Sequence, residues 1–344
     1  MIDLWTDAFA VCNYLGLAQT TGDKRLRDMA IKLVDQVHDI LGRHRDDSPQ
    51  NGWISGLTEE EGRHHPTVGG LRIGKPLSEG AEGVRLASDL EWKTDGIYFH
   101  YATRWAHALD QLAWITKDTR YATMAIELID TVHKKFVYIS QSGRRQMYWK
   151  MSVDLTRPLV KSQGHHDPLD GLLTCLQLEE TRKKLSVPGT GPSLSNAIED
   201  FKSMVEPTQL ATEDALGIGG LLSDISRLSC LNVERNLLEA LVVSAEFGLQ
   251  RWLQQENLRL PADHRLAFRE LGLSIGLSSV AKTEFAHRFE PYQRIRTLIE
   301  TFWENPVNRQ PQIYKEHEDI NDVMLATSLA PDGYINLHAQ GYHK

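Results

Sequence analysis

The sequence predicts an all-α fold that is built from helical hairpins and carries one small β-hairpin. Two segments, TGDKRLRDMAIKLVDQVH from Thr21 and TKDTRYATMAIELIDTVH from Thr116, match in register, and each follows another helix-like pattern. Such a repeat defines the structural unit before any motif is interpreted. Strand patterning is confined to KKFVYIS and RQMYWKMSVDL, which flank a turn at Gly143.

The two helices of each predicted hairpin differ in character. The second helix is amphipathic, with apolar residues at the i, i+3, i+4, i+7 spacing, and Asp23 and Asp118 occupy the expected N-cap positions. The first helix is apolar nearly all round, with Asp, His, Arg and Trp mixed in, which is typical of a buried helix. We therefore expect an outer ring of amphipathic helices around an inner ring of buried ones.

The rest of the chain continues this alternation, so we expect residues 1–344 to form a single domain. Inner helices are predicted to begin near Trp5, Gly96, Pro168, Glu213, Arg265 and Glu318. Outer helices are predicted near Asp23, Asp118, Ser193, Val233 and Glu284. PDGYINLHAQGYHK is too short for a sixth outer helix, which we expect to be missing or vestigial. Residues 44–93, which include Trp53 and Trp92, are predicted to form a long ordered insertion.

Six helical hairpins in one chain resemble the six-hairpin (α/α)6 toroid superfamily. That superfamily includes glycoside hydrolases, unsaturated glucuronyl hydrolases, sugar 2-epimerases and some isoprenoid-transforming enzymes. The resemblance implies that the N-termini of the inner helices meet on one ligand-binding face, where their unpaired N–H groups favour polar ligands. An α-solenoid scaffold is the alternative architecture.

Composition limits the classes of partner. The formal net charge is −8, with 46 acidic against 38 basic residues, which argues against nucleic-acid binding. No apolar run approaches the ~18 residues of a membrane span, and MIDLWTDAF does not resemble a secretory signal. Three cysteines suggest reduced thiols. We expect a cytoplasmic protein with a small-molecule substrate, and a second copy could cover the missing outer helix.

The stretch SQGHHDPLDGLL is the first candidate for a reaction centre. Asp167 suits an N-cap and Pro168 the first helical position, but this leaves His165 and His166 unexplained. Unsaturated glucuronyl hydrolases carry a His-Asp pair followed closely by Gly at an inner-helix start, and His166, Asp167 and Gly171 resemble it. This sequence departs from that pattern by inserting Pro168 to Asp170.

We expect Asp167 and Asp95 to act as a catalytic carboxylate pair, with His166 tuning or sharing the proton. Further ligand contacts are expected from the inner-helix starts, the long insertion and the β-hairpin. Aromatic residues in this set would stack on a sugar ring, and the others would bind polar groups. The set comprises Asp7, His65, Arg72, Lys75, Tyr98, His100, Arg104, Trp149, Lys150, Glu270, Asp319 and Asp322.

Four functions fit these residues. The favoured one is a carbohydrate-active hydrolase with paired carboxylates. A sugar epimerase would use His100 and His166 as bases. An isoprenoid cyclase, isomerase or dehydratase would need an aromatic cavity, with Mg²⁺ at the acidic helix starts. A non-enzymatic ligand-binding scaffold is the fourth. Apart from Mg²⁺ in the isoprenoid case, we predict neither a cofactor nor a bound metal.

Overall fold

The computed structural model describes residues 2–79, 93–187 and 191–336. Helix accounts for 66% of the structure and strand for 5%, which confirms an all-α fold with a small β component. The chain forms two compact units. The first comprises Met1–Val11 and Lys24–Val205, and the second comprises Cys12–Asp23 and Glu206–Lys344. Trp92 lies outside the described residues.

The first unit contains the repeated hairpins. Asp118 caps one of its helices, as predicted, because its side chain accepts a hydrogen bond from the backbone N–H of Arg120 at 3.0 Å. The helix before it is buried on nearly every side, which confirms the predicted contrast within a hairpin. The helices, including α1, which continues into the second unit, are α1 (Leu4–Thr21), α2 (Lys24–Leu41), α3 (Glu59–His64), α4 (Phe99–Thr116), α5 (Thr119–Phe136), α6 (Asp167–Lys184) and α7 (Ser195–Met204).

Two small antiparallel sheets complete the first unit. The strands are β1 (Ile97–Tyr98), β2 (Val137–Ile139), β3 (Arg145–Met147), β4 (Lys150–Met151) and β5 (Pro158–Val160). Strands β2 and β3 form the predicted hairpin. Strand β4 is the middle of a three-stranded sheet, between β1 and β5, that the sequence did not predict. This central position buries both faces of the segment, including Lys150, Met151 and Ser152.

The second unit continues the helical alternation close to the predicted starts. One outer helix is interrupted, since a 3₁₀ turn at Glu290–Tyr292 separates α11 from α12 and contains Pro291, which cannot donate a helical hydrogen bond. Its helices are α8 (Ala215–Leu231), α9 (Arg235–Gln254), α10 (Ala267–Val280), α11 (Ala286–Phe289), α12 (Gln293–Glu304), α13 (Gln312–Lys315), α14 (Glu318–Leu329) and α15 (Asp332–Ile335). The part of the chain that the structure describes contains no helix long and apolar enough to cross a membrane.

Helices α8 and α10 cross at a backbone contact made by glycines. A Cβ atom on Gly219 would collide with the carbonyl group of Gly272, and one on Gly276 would collide with Gly219 itself. Gly220, the next residue of α8, faces open space. Gly219 therefore provides close packing between helices rather than an internal space.

We predict opposite effects of alanine at these two neighbouring glycines. Gly219→Ala should lower the free energy of unfolding by about 1–3 kcal/mol, because the new methyl group must push the helices apart. Gly220→Ala is the matched control and should raise it by up to about 1 kcal/mol through helix propensity. Urea unfolding followed by circular dichroism measures both, and equal effects would contradict the packing argument.

Candidate active site

Asp167 is the first residue of α6, but it does not cap the helix. The preceding residue, His166, occupies the N-cap position, and no side chain makes a capping hydrogen bond there. The carboxyl group of Asp167 is buried, and its Oδ2 atom has no hydrogen-bond partner among the described residues. The predicted capping role is therefore wrong, and helix capping does not explain why an aspartate stands here.

The surroundings of Asp167 favour its protonated form. Burial raises the pKa of this carboxyl group well above its ordinary value of 3.8, and the charge of Asp170 raises it further, while Arg104 lowers it. Asp170 lies one helical turn along α6 and accepts hydrogen bonds from Arg104 Nη2 at 3.1 and 3.4 Å. The protonated form of Asp167 is therefore favoured by burial next to the ion pair of Arg104 and Asp170.

His100 is the neighbour of Asp167 across the site. Its Nδ1 atom lies 3.8 Å from Asp167 Oδ1 and has no hydrogen-bond partner in the described part of the chain. Burial lowers the pKa of this imidazole to about 4, although the charge of Asp170 opposes the shift. The side chain of His100 is 26% exposed, so a ligand can reach it. The opposite shifts, a lowered pKa for His100 and a raised one for Asp167, are those expected of a base next to an acid.

Aromatic rings surround His100. The ring of Tyr98 lies 5.3 Å from those of His100, Tyr101 and Trp149, measured between centroids, and the Trp149 ring stacks against His100 at 6.2 Å. Tyr98 is 1% exposed, so it lies beneath this surface and cannot contact a sugar. Tyr101 and Trp149 are half-buried and can. The predicted stacking role therefore fits Trp149 and not Tyr98.

Lys150 supports the aromatic surface from below. Its ammonium group lies 4.8 Å from the centre of the Tyr98 ring and donates a hydrogen bond to the Thr94 carbonyl at 2.9 Å. The side chain is 1% exposed. The prediction that Lys150 binds the substrate directly is therefore not supported, because a buried ammonium group cannot reach a ligand.

Asp95, the predicted catalytic partner, has a structural setting. This fully buried carboxylate accepts hydrogen bonds from Arg72 Nη1 at 2.9 Å and Arg45 Nη1 at 3.2 Å through Oδ2. Its Oδ1 atom accepts from the backbone N–H groups of Gly74, Lys75 and Gly96. Both oxygens are engaged, so neither Asp95 nor Arg72 is available to a substrate, and helix α4 begins too far along the chain for Asp95 to cap it.

The start of α1 contributes polar groups that the sequence indicated only in part. Lys75 Nζ lies 2.6 Å from Asp3 Oδ2, and Asp7 accepts a hydrogen bond from the Asp3 backbone N–H at 3.0 Å. Burial raises the pKa of Tyr101 well above its usual range, and the charge of Asp3 adds to this. Asp3 and Tyr101 were missed. The signal for Asp3 was its place just before α1, three residues ahead of Thr6. Its Oδ1 atom accepts a hydrogen bond from the Thr6 backbone N–H at 3.1 Å.

Four predicted contacts lie elsewhere or are already occupied. His65 is exposed and its Nδ1 atom lies 2.7 Å from Glu127 Oε1 on α5. In the second unit, the buried carboxylate of Glu270 accepts hydrogen bonds from Arg265 and from Trp303 Nε1. Asp319 and Asp322 are exposed in the first half of α14, and Asp322 accepts a hydrogen bond from Tyr314 Oη at 2.7 Å.

His165 and His166 stack on each other beside the start of α6, with ring centroids 4.3 Å apart. His165 is exposed and His166 is half-buried. Among residues 2–79, 93–187 and 191–336, no group of three or more His, Cys, Asp or Glu side chains is arranged to hold a metal ion. The pair therefore belongs to the rim of the site.

Comparison with known proteins identifies no relative of this chain. No model of a known protein family matches this chain, and no curated protein matches it either.

We predict that replacing Asp167 with asparagine changes how stability depends on pH. The unfolded chain releases this proton near the ordinary pKa of 3.8, whereas the folded chain keeps it to higher pH. The free energy of unfolding of the wild type therefore loses a contribution as pH rises through that interval. Asp167→Asn cannot lose a proton, so its melting temperature relative to wild type should rise from pH 4 to 8.

The matched control for this measurement is Asp28→Asn, because Asp28 is an exposed carboxylate on α2. Its melting temperature relative to wild type should not vary with pH. A constant difference between Asp167→Asn and wild type would contradict the burial argument.

A second prediction concerns the Asp95 carboxylate. Asp95→Ala should lower the free energy of unfolding by about 3–5 kcal/mol, because it leaves the guanidinium group of Arg72 without its ion-pair partner and three backbone N–H groups without their acceptor, and takes one of two anions from Arg45. Asp47→Ala removes the exposed partner of Arg45 and should have little effect. Denaturant unfolding of the two variants checks this. Similar losses of unfolding free energy would contradict the structural role of the buried Asp95 carboxylate.

Proposed function

We propose that the protein is a carbohydrate-active hydrolase and that Asp167 is its general acid. The observation that carries the proposal is the buried carboxyl group of Asp167, with an unpartnered oxygen, beside an unprotonated His100. A catalytic acid must hold its proton at the working pH, and burial is the usual physical cause. The half-buried rings of Tyr101 and Trp149 provide an amphipathic surface for a sugar face.

The proposed reaction uses the acid and the base in turn. Asp167 donates its proton to the leaving oxygen as the glycosidic C–O bond breaks. A water molecule bonds to the sugar carbon and gives its proton to His100. Return of that proton from His100 to Asp167 restores both groups, and their 3.8 Å separation makes this transfer short. Arg104 stabilises the carboxylate that exists in between, since its charge lowers the pKa of Asp167.

His100 thus takes the place that the sequence suggested for Asp95. A retaining or inverting glycosidase ordinarily uses two carboxylates. Here the second buried carboxylate is bound by two guanidinium groups and three backbone N–H groups. The neutral imidazole of His100, whose Nδ1 atom lies 3.8 Å from Asp167 Oδ1, can accept a proton from water. The resemblance to the six-hairpin toroid superfamily is compatible with this chemistry and supports a sugar as the substrate.

Sugar epimerisation is the second candidate, and the same pair favours it. A neutral imidazole can remove a proton next to a carbonyl group, while a neighbouring carboxylic acid protonates the oxygen. The exposed acids at the start of α14 do not enclose a site, so we propose neither an Mg²⁺ site nor diphosphate chemistry. The products distinguish the two candidates, because epimerisation preserves the number of sugar molecules and hydrolysis increases it.

We predict that Asp167→Asn lowers kcat about 100- to 10,000-fold on any substrate that the wild type converts, with little change in KM, because it removes the proton donor. The assay offers unsaturated uronides, neutral oligosaccharides and reducing sugars, and the products are separated by chromatography. Asp28→Asn serves as the control and should keep full activity. Full activity of Asp167→Asn would sink the assignment of the acid.

A further inference from the structure

A polar cavity lies within the first unit, and Asp167 is not among the residues that line it. Its volume is about 350 Å³, which is in the range of small-molecule sites. The loop around Arg45 forms one wall, Ser78 and Glu79 form another, and Val153 with Asp154 forms the third. The walls are tied together, because the Val153 backbone N–H donates to Glu79 Oε2 at 2.5 Å.

The groups that face this cavity have hydrogen-bonding capacity to spare. Within the described ranges, no partner reaches the imidazole of His44, the amide of Gln50, the hydroxyl of Ser78 or the Oδ2 atom of Asp154. Burial lowers the pKa of His44, against the opposing charge of Asp154, which favours the neutral imidazole. A neutral imidazole, an amide and a hydroxyl each both donate and accept.

This combination suits hydroxyl groups better than it suits a strongly charged ligand. Each sugar hydroxyl also donates and accepts, so it can pair with any of these groups. The charged residues in the walls already have partners. Arg45 pairs with Asp47 at 2.7 Å and with Asp95 at 3.2 Å, and Glu79 accepts hydrogen bonds from the Val153 backbone N–H and from Arg157 Nη2. Asp154 accepts hydrogen bonds from the hydroxyl groups of Ser152 and Thr156 through Oδ1, which leaves Oδ2 to accept from a ligand hydroxyl. A ligand with many hydroxyl groups therefore gains hydrogen bonds here without having to displace an ion pair.

The cavity is joined to the candidate active site by a short piece of chain. Trp149 precedes strand β4, and Val153 follows it. Four residue steps span at most about 14 Å, so the aromatic surface and the cavity wall are neighbours. Arg45 also donates a hydrogen bond to the Lys75 carbonyl at 2.6 Å, and Lys75 in turn contacts Asp3.

We propose that this cavity is a second sugar-binding subsite and that the substrate is an oligosaccharide. One sugar unit lies against Trp149 and Tyr101, and a further unit of the same chain occupies the cavity beside His44 and Asp154. The inference rests on the proposed function, because it assigns to that site a substrate longer than one sugar.

The test measures binding to the full chain carrying Asp167→Asn, so that it does not require turnover. The probes are cello-, xylo-, malto- and chito-oligosaccharides of one to four units, titrated by calorimetry. We expect one series to bind more tightly as units are added. Adding His44→Asn or Asp154→Asn should weaken the longer members about two- to tenfold, and leave the monosaccharide unchanged.

The matched controls are His64→Asn and Asp28→Asn, which replace exposed residues of the same types. Affinity that is independent of chain length, absence of binding in all four series, or equal losses in the controls would overturn the subsite. Length-dependent binding without hydrolysis by the wild type would instead overturn the proposed reaction and leave the subsite standing. Hydrolysis that neither His44→Asn nor Asp154→Asn affects would overturn the subsite and leave the proposed reaction standing.

Discussion

The candidate active site depends on the hydrogen bonds that the buried carboxylate of Asp95 accepts. A fully buried charge is stable only when donors surround it, and here two guanidinium groups and three backbone N–H groups do so. These donors come from Arg45, from residues 72–75 and from the neighbouring Gly96, so one side chain ties two other segments of backbone to its own. Strand β1 and helix α4 follow directly, which sets where Tyr98 and His100 lie. The site inherits its geometry from this ion-pair network.

Two of the buried aspartates in the first unit, Asp95 and Asp167, lie in opposite environments. Asp95 receives hydrogen bonds on both oxygens, which makes it a structural anchor. Asp167 is nearly as deeply buried, but its Oδ2 atom receives no hydrogen bond from the described residues. Desolvation then favours the neutral form, and the nearby ion pair of Arg104 and Asp170 modulates this in both directions. The same residue type thus has both oxygens hydrogen-bonded in one place and an unpartnered oxygen in the other, and the acid role that we propose for Asp167 rests on this contrast.

The parts of the fold that follow from local sequence were predictable. The repeat, the helical spacing and the cap at Asp118 predicted where α4 and α5 begin and which of the two is buried. The β2–β3 hairpin was likewise indicated by the turn at Gly143. These features depend on residues a few positions apart, so one sequence is enough to identify them.

The parts of the site that depend on distant residues were not predictable. Asp95 bonds to Arg45, 50 positions away, and to Arg72, 23 positions away. An aspartate before a helix therefore suggested a cap or a catalyst when it is an anchor. Strand β1 has two residues, too few to show alternation, so nothing indicated that β4 lies between two strands and that Lys150 is buried. His100 was identified as a contact, but its pairing with Asp167 depends on how α4 meets α6.

The glycine of GHHD completes the argument for Asp167. A Cβ atom on Gly164 would lie 2.5 Å from the carboxyl carbon of Asp167, so the backbone passes directly over this group. A side chain there would push the carboxyl group outward, where water would stabilise its charged form. The glycine therefore allows the close approach that buries the acid, and His165 and His166 follow as the rim. The close backbone approach at Gly164 thus adds to the burial that raises the pKa of the Asp167 carboxyl group.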